Sequence, residues 1–414
     1  MTGPVRLFLF SPILHSFLHQ RPQKLAEQFV RRSIPVTFVE PSGFREYVAG
    51  RRPGLASLIG RSLKYHLRAG AMAASGARAA RAGTLPEPTP HGLDIVSLPF
   101  VVPSVLADSE HLERLNARVL RAAIVEEILP RRASGERVII LAQTPFLGAV
   151  LRDGDADAVY YDCMDDIALF AGRASVDRFR SYERRLIAMS KAVFVTSLVL
   201  ERELREGGVS LPVVRVPNGV DQSWFEKDRS VRGAHPVLPE VRSPIAGYVG
   251  SLREWFDEEL VLAAARTMPA ITFVLVGPVE DPRRLARLKT EPNVVFTGRI
   301  PFEEVPRYID RFDVGLIPFH PGGTADRTNP VKLYEYFAFG KPVVTTPMTD
   351  LKEYEQQALV YAGEGKEGFV AALRAGLEDR SDTRRQARVN VAREHTWERA
   401  AALMLQTIDE TLDA

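Results

Sequence analysis

The sequence lacks several features that mark particular classes of protein. Its 414 residues contain one cysteine, Cys163, which excludes an internal disulfide and fits a reducing compartment. The formal net charge of +2 gives no sign of nucleic-acid binding. No apolar run reaches the ~18 residues of a spanning helix, and the first run lacks the cleavage pattern of a signal peptide. We therefore expect a globular cytoplasmic protein without a nucleic-acid partner.

No G-x-G-x-x-G motif follows the first apolar run, which disfavours a Rossmann dehydrogenase. What the chain does contain is a regular alternation of short β-rich apolar runs with longer helical patterns, which predicts parallel sheets covered by helices. The predicted strands are Val5–Phe10, Val36–Glu40, Leu93–Leu98, Val138–Ala142, Val159–Asp162, Ala192–Thr196 and Val213–Val216, then Ile245–Val249, Ile271–Val276, Val294–Thr297, Val314–Pro318, Pro342–Thr345 and Leu359–Tyr361.

The alternation stops once, between Ser223 and Arg242, where two prolines occur and periodicity is low. The chain is also too long for one ordinary core. We therefore predict an α/β fold of two doubly wound Rossmann-like domains facing a cleft, with ligands bound at the carboxyl ends of the strands. The predicted domains are residues 1–222 and 243–395, joined by a linker at 223–242 and followed by a C-terminal helix, 396–414, that packs back on the first domain.

The most informative segment begins at Asn329 and Pro330, which suit an N-cap and a first helical position. A helix N-terminus presents free N–H groups and a partial positive charge, and Lys332 adds a full charge in the first turn. Glu335 lies on the same face and could accept hydrogen bonds from two ribose hydroxyls. The simpler interpretation is a capped amphipathic helix with an ordinary Lys–Glu pair, which spacing alone favours.

A family resemblance favours the ligand-binding interpretation. The helix segment runs into Gly-Lys-Pro-Val-Val at 340–344, and further segments precede it in order: Gln20–Leu25, Tyr161–Asp166, Gly247–Ser251, Val276–Pro278, Val295–Arg299 and Asp313–Phe319. Together these segments resemble the GT-B glycosyltransferases related to family 4. The resemblance is to a subgroup from bacterial exopolysaccharide, teichuronic-acid and glycolipid pathways.

The resemblance implies that residues 243–395 bind a nucleotide-sugar donor and residues 1–222 bind the acceptor. It places Lys332 at the diphosphate and Glu335 at the ribose. It also implies no cofactor and no metal, because a helix dipole and basic residues stabilise the leaving diphosphate. The implied donor-binding residues are Gly250, Ser251, Arg253, Arg299, Arg327, Asn329, Lys332, Leu333 and Glu335.

Two positions depart from the family pattern. Eight residues before Glu335, where the family often has a glutamate that helps to bind the donor sugar, this chain has Arg327. An arginine binds carboxylates bidentately, so Arg327 could pair with the carboxylate of a uronic-acid donor. The expected donor is therefore either a UDP-hexose, as the family resemblance implies, or a UDP-uronate. After Arg253, Glu254 and Trp255 follow where a second basic residue was expected.

Candidates for the chemistry of transfer lie in the first domain. Asp165 and Asp166, at the end of a predicted strand, are candidates for the catalytic base. Asp166 could equally cap a helix, and Asp162 could be a buried strand-end residue. His19, Gln20 and Arg21 follow the first strand and are candidates for contact with acceptor or phosphate, although a lone histidine there is more often a surface residue. The acidic run Asp153, Asp155 and Asp157 is interpreted as a solvated loop rather than a metal site.

Residues 45–81 contain eight basic residues and one acidic residue. Leu55, Ile59, Leu63 and Leu67 recur every four residues within this stretch, which is typical of a basic amphipathic helix. Such a helix could bind an anionic membrane, giving a peripheral location on the inner face of the cell membrane. Alternatively, the apolar stripe packs on the first domain and the arginines face water.

We therefore expect a glycosyltransferase that moves a sugar from a nucleotide-sugar donor to a hydroxyl of a saccharide or lipid-linked acceptor. The expected role is bacterial envelope glycan or glycolipid synthesis. Two alternatives remain open: a nucleotide-sugar 2-epimerase of the same fold, and a non-catalytic nucleotide-sugar-binding protein.

Overall fold

The computed structural model describes residues 4–15, 19–41, 92–98, 110–166, 176–226, 241, 244–281 and 283–413. The predicted membrane helix in 45–81 lies outside these residues, as does most of the predicted linker 223–242. Both therefore stay predictions. Among the described helices, none is both long enough and apolar enough to cross a membrane.

The first sheet contains seven strands: β1 (Val5–Phe10), β2 (Val36–Pro41), β3 (Leu93–Leu98), β4 (Arg137–Ala142), β5 (Ala158–Cys163), β6 (Ala192–Val195) and β7 (Val213–Arg215). All are parallel, in the order β3-β2-β1-β4-β5-β6-β7. Its central strands are continuous apolar runs, because strands of a parallel sheet are buried on both faces. The topological switch point lies between β1 and β4, where the strand order reverses.

The second sheet contains six strands: β8 (Ile245–Val249), β9 (Thr272–Val276), β10 (Val294–Gly298), β11 (Val314–Ile317), β12 (Val343–Thr345) and β13 (Val360–Ala362). These strands are also parallel, in the order β10-β9-β8-β11-β12-β13. The switch point of this sheet lies between β8 and β11. The α/β fold of two doubly wound Rossmann-like domains predicted from the sequence is therefore confirmed.

The described helices follow the same alternation. They are α1 (Arg21–Arg31), α2 (Glu110–Ala133), α3 (Leu147–Val150), α4 (Val176–Met189), α5 (Leu198–Glu206), α6 (Ser223–Glu226), α7 (Glu258–Thr267), α8 (Val305–Arg311), α9 (Thr324–Arg327), α10 (Val331–Ala338), α11 (Lys352–Gln356), α12 (Gly365–Glu378), α13 (Asp382–Glu394) and α14 (Trp397–Thr411).

The chain forms two compact units. One comprises Met1–Val195, Glu203–Arg215 and Ala401–Ala414, and the other comprises Thr196–Arg202 and Val216–Ala400. The C-terminal end of α14 thus belongs to the first unit. There the Tyr160 hydroxyl forms a hydrogen bond of 2.9 Å with Thr411, and Arg137 pairs with Asp413 at 2.6 Å.

Candidate functional site

The second sheet offers a ligand site at its switch point, where loops leave the carboxyl ends of β8 and β11. Two backbone hydrogen bonds join these loops. The N–H of Asp257 donates to the Pro318 carbonyl at 2.8 Å, and the N–H of His320 donates to the Trp255 carbonyl at 2.9 Å. The His320 imidazole also lies 3.2 Å from the Asp257 carboxylate. The two loops therefore form one connected rim.

Two glycines bring the backbone of this rim close to α10. Gly250, which ends β8, has φ +136°, a conformation that favours glycine. A Cβ at Gly250 would lie 3.4 Å from Cε of Lys332. Gly277, which follows β9, has φ +138°, and its Cβ would lie 2.1 Å from the carbonyl oxygen of Gly250. Gly277 is therefore required sterically, whereas Gly250 is favoured by its backbone conformation and lies beside the Lys332 side chain.

Lys332 lies in the first turn of α10 with its ammonium group against two aromatic rings. Its Nζ is 5.4 Å from the ring centre of Tyr248 and 4.8 Å from that of Phe319, both within the range of cation–π attraction. Burial lowers the pKa of Lys332 to about 8, although the nearby carboxylate of Glu335 acts in the opposite direction. Lys332 is half-buried, so its cation is partly desolvated, and a bound anion would stabilise its charged form.

Glu335 lies one turn further along α10 and is only 9% exposed. Leu333, between the two, is fully buried in the core of the second unit, and its N–H donates to the Pro330 carbonyl at 3.0 Å. The core contact of Leu333 sets the orientation of α10. Lys332 and Glu335 are three residues apart and consequently lie on one face of α10, next to the face that Leu333 packs into the core.

The predicted N-cap role of Asn329 is wrong. Pro330 occupies the position before the helix, and no side chain caps α10. The Asn329 side chain instead bonds to the N–H of Asn218 and the carboxylate of Asp350, which lie outside the helix segment, and to the hydroxyl of Tyr334 within α10. The local sequence favoured a cap because asparagine is common at N-cap positions. In the folded chain the Asn329 side chain binds Asn218 and Asp350 instead, and its bond to the Asp350 carboxylate is charge-assisted.

The predicted residues of the β8 loop are also engaged within the protein. Ser251 is buried, and its carbonyl accepts a hydrogen bond of 3.0 Å from the Tyr248 hydroxyl. Arg253 forms an ion pair with Glu280 and stacks on Trp255 at 5.5 Å. Burial raises the pKa of Glu280 although Arg253 opposes that effect. Glu280 was missed by sequence reasoning, because only the fold brings the loop after β9 to Arg253.

The remaining predicted donor residues are more open. Arg299 is exposed and directly follows β10. Arg327 is half-buried at the end of α9, where one guanidinium nitrogen donates to the Gly323 carbonyl at 3.4 Å. The carbonyl of Arg327 accepts a hydrogen bond of 2.9 Å from the Ser197 hydroxyl, so the backbone at this position is fixed.

In the first unit, the carboxyl edge of the sheet contains a buried ion pair. Arg21 at the start of α1 binds Asp162 at the end of β5 through two nitrogens, at 2.9 and 2.8 Å. Gln143, which follows β4, donates to the same carboxylate at 2.8 Å. The side chains of Arg21 and Asp162 are 3% and 0% exposed. Asp162 is therefore a buried strand-end residue, as its sequence position suggested, and its carboxylate compensates the charge of Arg21.

The candidate base Asp166 is 8% exposed and lies 3.6 Å from the Arg180 guanidinium. One turn further along α4, Glu183 accepts a hydrogen bond of 2.8 Å from the buried Tyr161 hydroxyl. Burial raises the pKa of Glu183, and the charge of Asp166 adds to this effect. Asp165 is half-buried. Sequence reasoning missed Glu183, which lies in a helix whose charged residues are mostly arginines.

The other predicted loop residues surround the start of α1. His19 Nδ1 lies 3.7 Å from Oε1 of Glu27, and Lys24 Nζ lies 3.7 Å from Oε2 of the same carboxylate. Burial alone would raise the pKa of Glu27, but the hydrogen bond from His19 and the charge of Lys24 leave it lowered. The N–H of Gln20 donates to the Gln23 side chain at 3.2 Å.

The acidic run in the first unit is bound to the protein itself. Asp155 forms an ion pair with Arg121, and Asp157 accepts a hydrogen bond of 2.7 Å from the N–H of Val138. The interpretation of this run as a solvated loop was thus incomplete, since two of its carboxylates anchor the turn. Across the described ranges, no group of three His, Cys, Asp or Glu side chains is arranged to hold a metal ion.

Comparisons with known proteins support the fold and the class of enzyme. Residues 243–379 match the family described as Glycosyl transferases group 1. Over 288 residues the chain is 28% identical to TuaH of Bacillus subtilis strain 168, a protein named as a teichuronic acid biosynthesis glycosyltransferase. That match covers 66% of this chain and 72% of TuaH.

Two solved structures have the same fold along the chain. Sucrose-phosphate synthase from Thermosynechococcus elongatus superposes with a TM-score of 0.68 at 16% identity, covering 98% of each chain. Anabaena HepE in complex with UDP-glucose superposes with a TM-score of 0.63 at 13% identity, covering 98% of this chain and 99% of HepE. At these identities the likeness is one of fold.

Proposed function

The chain is a glycosyltransferase with a group 1 domain and the GT-B fold, and we propose that it transfers a hexosyl or uronosyl group from UDP to a hydroxyl of a saccharide or lipid-linked acceptor. The acceptor class follows the name of TuaH, which assigns that relative to teichuronic acid biosynthesis. The choice of UDP follows the UDP-glucose complex of HepE.

The enclosed ammonium of Lys332 beside the Gly250 backbone is the observation that carries this proposal. A diphosphate there would receive a full charge from Lys332 and hydrogen bonds from the first N–H groups of α10. We assign the buried carboxylate of Glu335 to accept hydrogen bonds from the ribose. Charge that develops on the diphosphate as the glycosidic bond breaks would be stabilised by the same groups.

The transfer also requires removal of a proton from the acceptor hydroxyl. As its oxygen bonds to the anomeric carbon, the bond from that carbon to the diphosphate oxygen breaks and UDP leaves. We assign the proton to the carboxylate of Asp165 or Asp166, at the carboxyl edge of the first sheet. Purified protein incubated with UDP-sugars and a panel of saccharide and polyprenyl-linked acceptors tests the function. Failure to form product or to bind any UDP-sugar would refute it.

Arg327 is expected to favour a donor with a carboxylate. Arg327 is half-buried, and its guanidinium could bind the carboxylate of a uronate through two charged hydrogen bonds. Loss of these bonds in Arg327→Ala should weaken UDP-glucuronate binding roughly 10- to 100-fold. UDP-glucose binding should change much less. Calorimetry with both donors measures the ratio of the two dissociation constants, and Arg374→Ala, an exposed arginine on α12, is the matched control. An unchanged ratio in Arg327→Ala would exclude this role.

Donor affinity is expected to fall as the pH rises through 8. Only the protonated form of Lys332 attracts a diphosphate, and burial holds the pKa of Lys332 in the free protein at about 8. The groups facing it are Glu335 on its own helix and the rings of Tyr248 and Phe319, and burial raises the pKa of Tyr248, so that phenol stays neutral. Between pH 7 and 9 the dissociation constant for UDP should rise about tenfold, as the competent fraction falls.

Titration calorimetry of UDP at several pH values measures this dependence. The variant Lys332→Gln should bind UDP weakly at every pH, with a nearly flat profile. A wild-type affinity that is the same at pH 7 and pH 9 would contradict the assignment of the titrating charge to Lys332.

A further inference from the structure

Every polar atom of the Asn329 side chain has a partner in the second unit. Its Oδ1 accepts from the Asn218 N–H at 2.9 Å, and its Nδ2 donates to the Tyr334 hydroxyl at 3.0 Å and to Asp350 at 2.9 Å. Its backbone carbonyl also accepts from the Asn218 side chain at 2.6 Å. Asn329 is 4% exposed, so these bonds are shielded from water.

Asp350 is the charged member of this group and is 9% exposed. Its two carboxylate oxygens have different partners. One accepts from the Leu198 N–H at 2.7 Å, and the other accepts from Asn329. Asp350 therefore joins the segment that follows β6 to the segment that precedes α10.

The first turn of α10 is held through this group. Asn329 is separated from the helix by Pro330 alone, and no side chain caps the helix. Tyr334, inside the helix, accepts from Asn329 and stacks on His395 with ring centres 4.7 Å apart. With only eight residues, α10 has little stability of its own. Its buried residues fix the helix against the core, and the bonds of Asn329 fix the backbone that enters its first turn.

We propose that Asp350 and Asn218, acting through Asn329, are positioning residues that aim the N-terminus of α10 and thereby set the affinity for the donor diphosphate. Neither residue is assigned a contact with the donor. The inference rests on the proposed function, because it supposes that Lys332 and the first N–H groups of α10 meet the diphosphate. A small misplacement of such groups is costly, since binding of a charge depends on the geometry of its hydrogen bonds.

The test exchanges the carboxylate and the amide between positions 329 and 350. Asp350→Asn would bring an amide NH₂ against the NH₂ of Asn329, and we expect UDP to bind at least about tenfold more weakly. In the double variant Asn329→Asp/Asp350→Asn the bonds at position 329 can form again, the one to Tyr334 in the reversed direction. The carboxylate now at position 329 accepts from Asn218, from the Tyr334 hydroxyl and from the amide at position 350, whose oxygen accepts from Leu198. We expect the double variant to regain UDP affinity to within a few-fold of the wild type.

UDP binding by calorimetry and thermal unfolding are measured on the whole protein for each variant. Asp382→Asn, an exposed aspartate on α13, is the matched control and should behave as the wild type. If Asp350→Asn does not fold, Asn218→Ala removes one bond to the Asn329 carbonyl and should give a smaller loss of UDP affinity, at least about threefold.

The outcomes separate the two proposals. A wild-type protein that binds no UDP or UDP-sugar refutes the proposed function itself. If the wild type binds UDP and Asp350→Asn or Asn218→Ala binds it equally well, even with a lower unfolding temperature, the group is only a structural support. A double variant that folds but does not regain UDP affinity would likewise overturn the positioning role.

Discussion

Replacing Lys332 with glutamate is expected to weaken UDP binding by roughly 100-fold or more, because a charged hydrogen bond is lost and a repulsive charge takes its place. The environment of Lys332 makes the effect large. Its ammonium lies against Tyr248 and Phe319, so water screens the introduced charge poorly. Calorimetric titration with UDP at pH 7 measures the loss.

The matched control for this change is Lys352→Glu, which reverses an exposed charge on α11. We expect UDP to bind this variant within about twofold of the wild type, since exposed charges are well screened. Thermal unfolding of both variants identifies any loss of fold. A folded Lys332→Glu protein with wild-type affinity would place the diphosphate away from α10.

The second large effect concerns stability. Asp162→Ala removes the buried partner of Arg21, whose side chain is 3% exposed, and leaves its guanidinium without the carboxylate. Loss of one member of a buried pair costs about 3–5 kcal/mol, because the remaining charge stays desolvated. The donated bond from Gln143 is lost as well. We therefore expect the first unit to unfold at a clearly lower urea concentration.

The positions of the tryptophans allow unfolding of the second unit to be followed separately. All three, Trp224, Trp255 and Trp397, lie within Val216–Ala400 of the second unit. In Asp162→Ala the far-UV circular dichroism should show an early transition, while the tryptophan fluorescence should keep its wild-type midpoint. Asp94→Ala is the control, because Asp94 is 53% exposed in its pair with Arg6 and such pairs are worth about 1 kcal/mol or less. Equal midpoints for the two variants would contradict the prediction.

Much of the fold could be predicted because buried parallel strands are continuous apolar runs. Leu93–Leu98 and Ile245–Val249 were predicted with the bounds that the structure has. Lys332 and Glu335 could be chosen because helix start, charge and spacing lie within a few residues of each other. Their roles stay predictions, but the structure places the Lys332 ammonium beside the Gly250 backbone, at the carboxyl edge of the second sheet.

The contacts that sequence reasoning missed are long-range. Arg21 was chosen for a ligand contact because its partner Asp162 lies 141 residues further along the chain. Asn329 was interpreted as a cap because its partners Asn218 and Asp350 are 111 and 21 residues away. Buried polar residues form hydrogen bonds with the partners that the fold brings near them. The local sequence pattern does not identify those partners.

The bonds around Asn329 also bear on the order in which the protein folds. Partners separated by 111 and 152 residues meet there, and such distant contacts form slowly because a long loop must close first. An eight-residue helix such as α10 is marginal before its neighbours arrive. During synthesis, Leu198 and Asn218 leave the ribosome more than a hundred residues before α10, so their bonds to Asp350 and Asn329 cannot form until those residues have also been made. The N-terminal end of α10 is thus expected to reach its final position last, after both sheets have already formed.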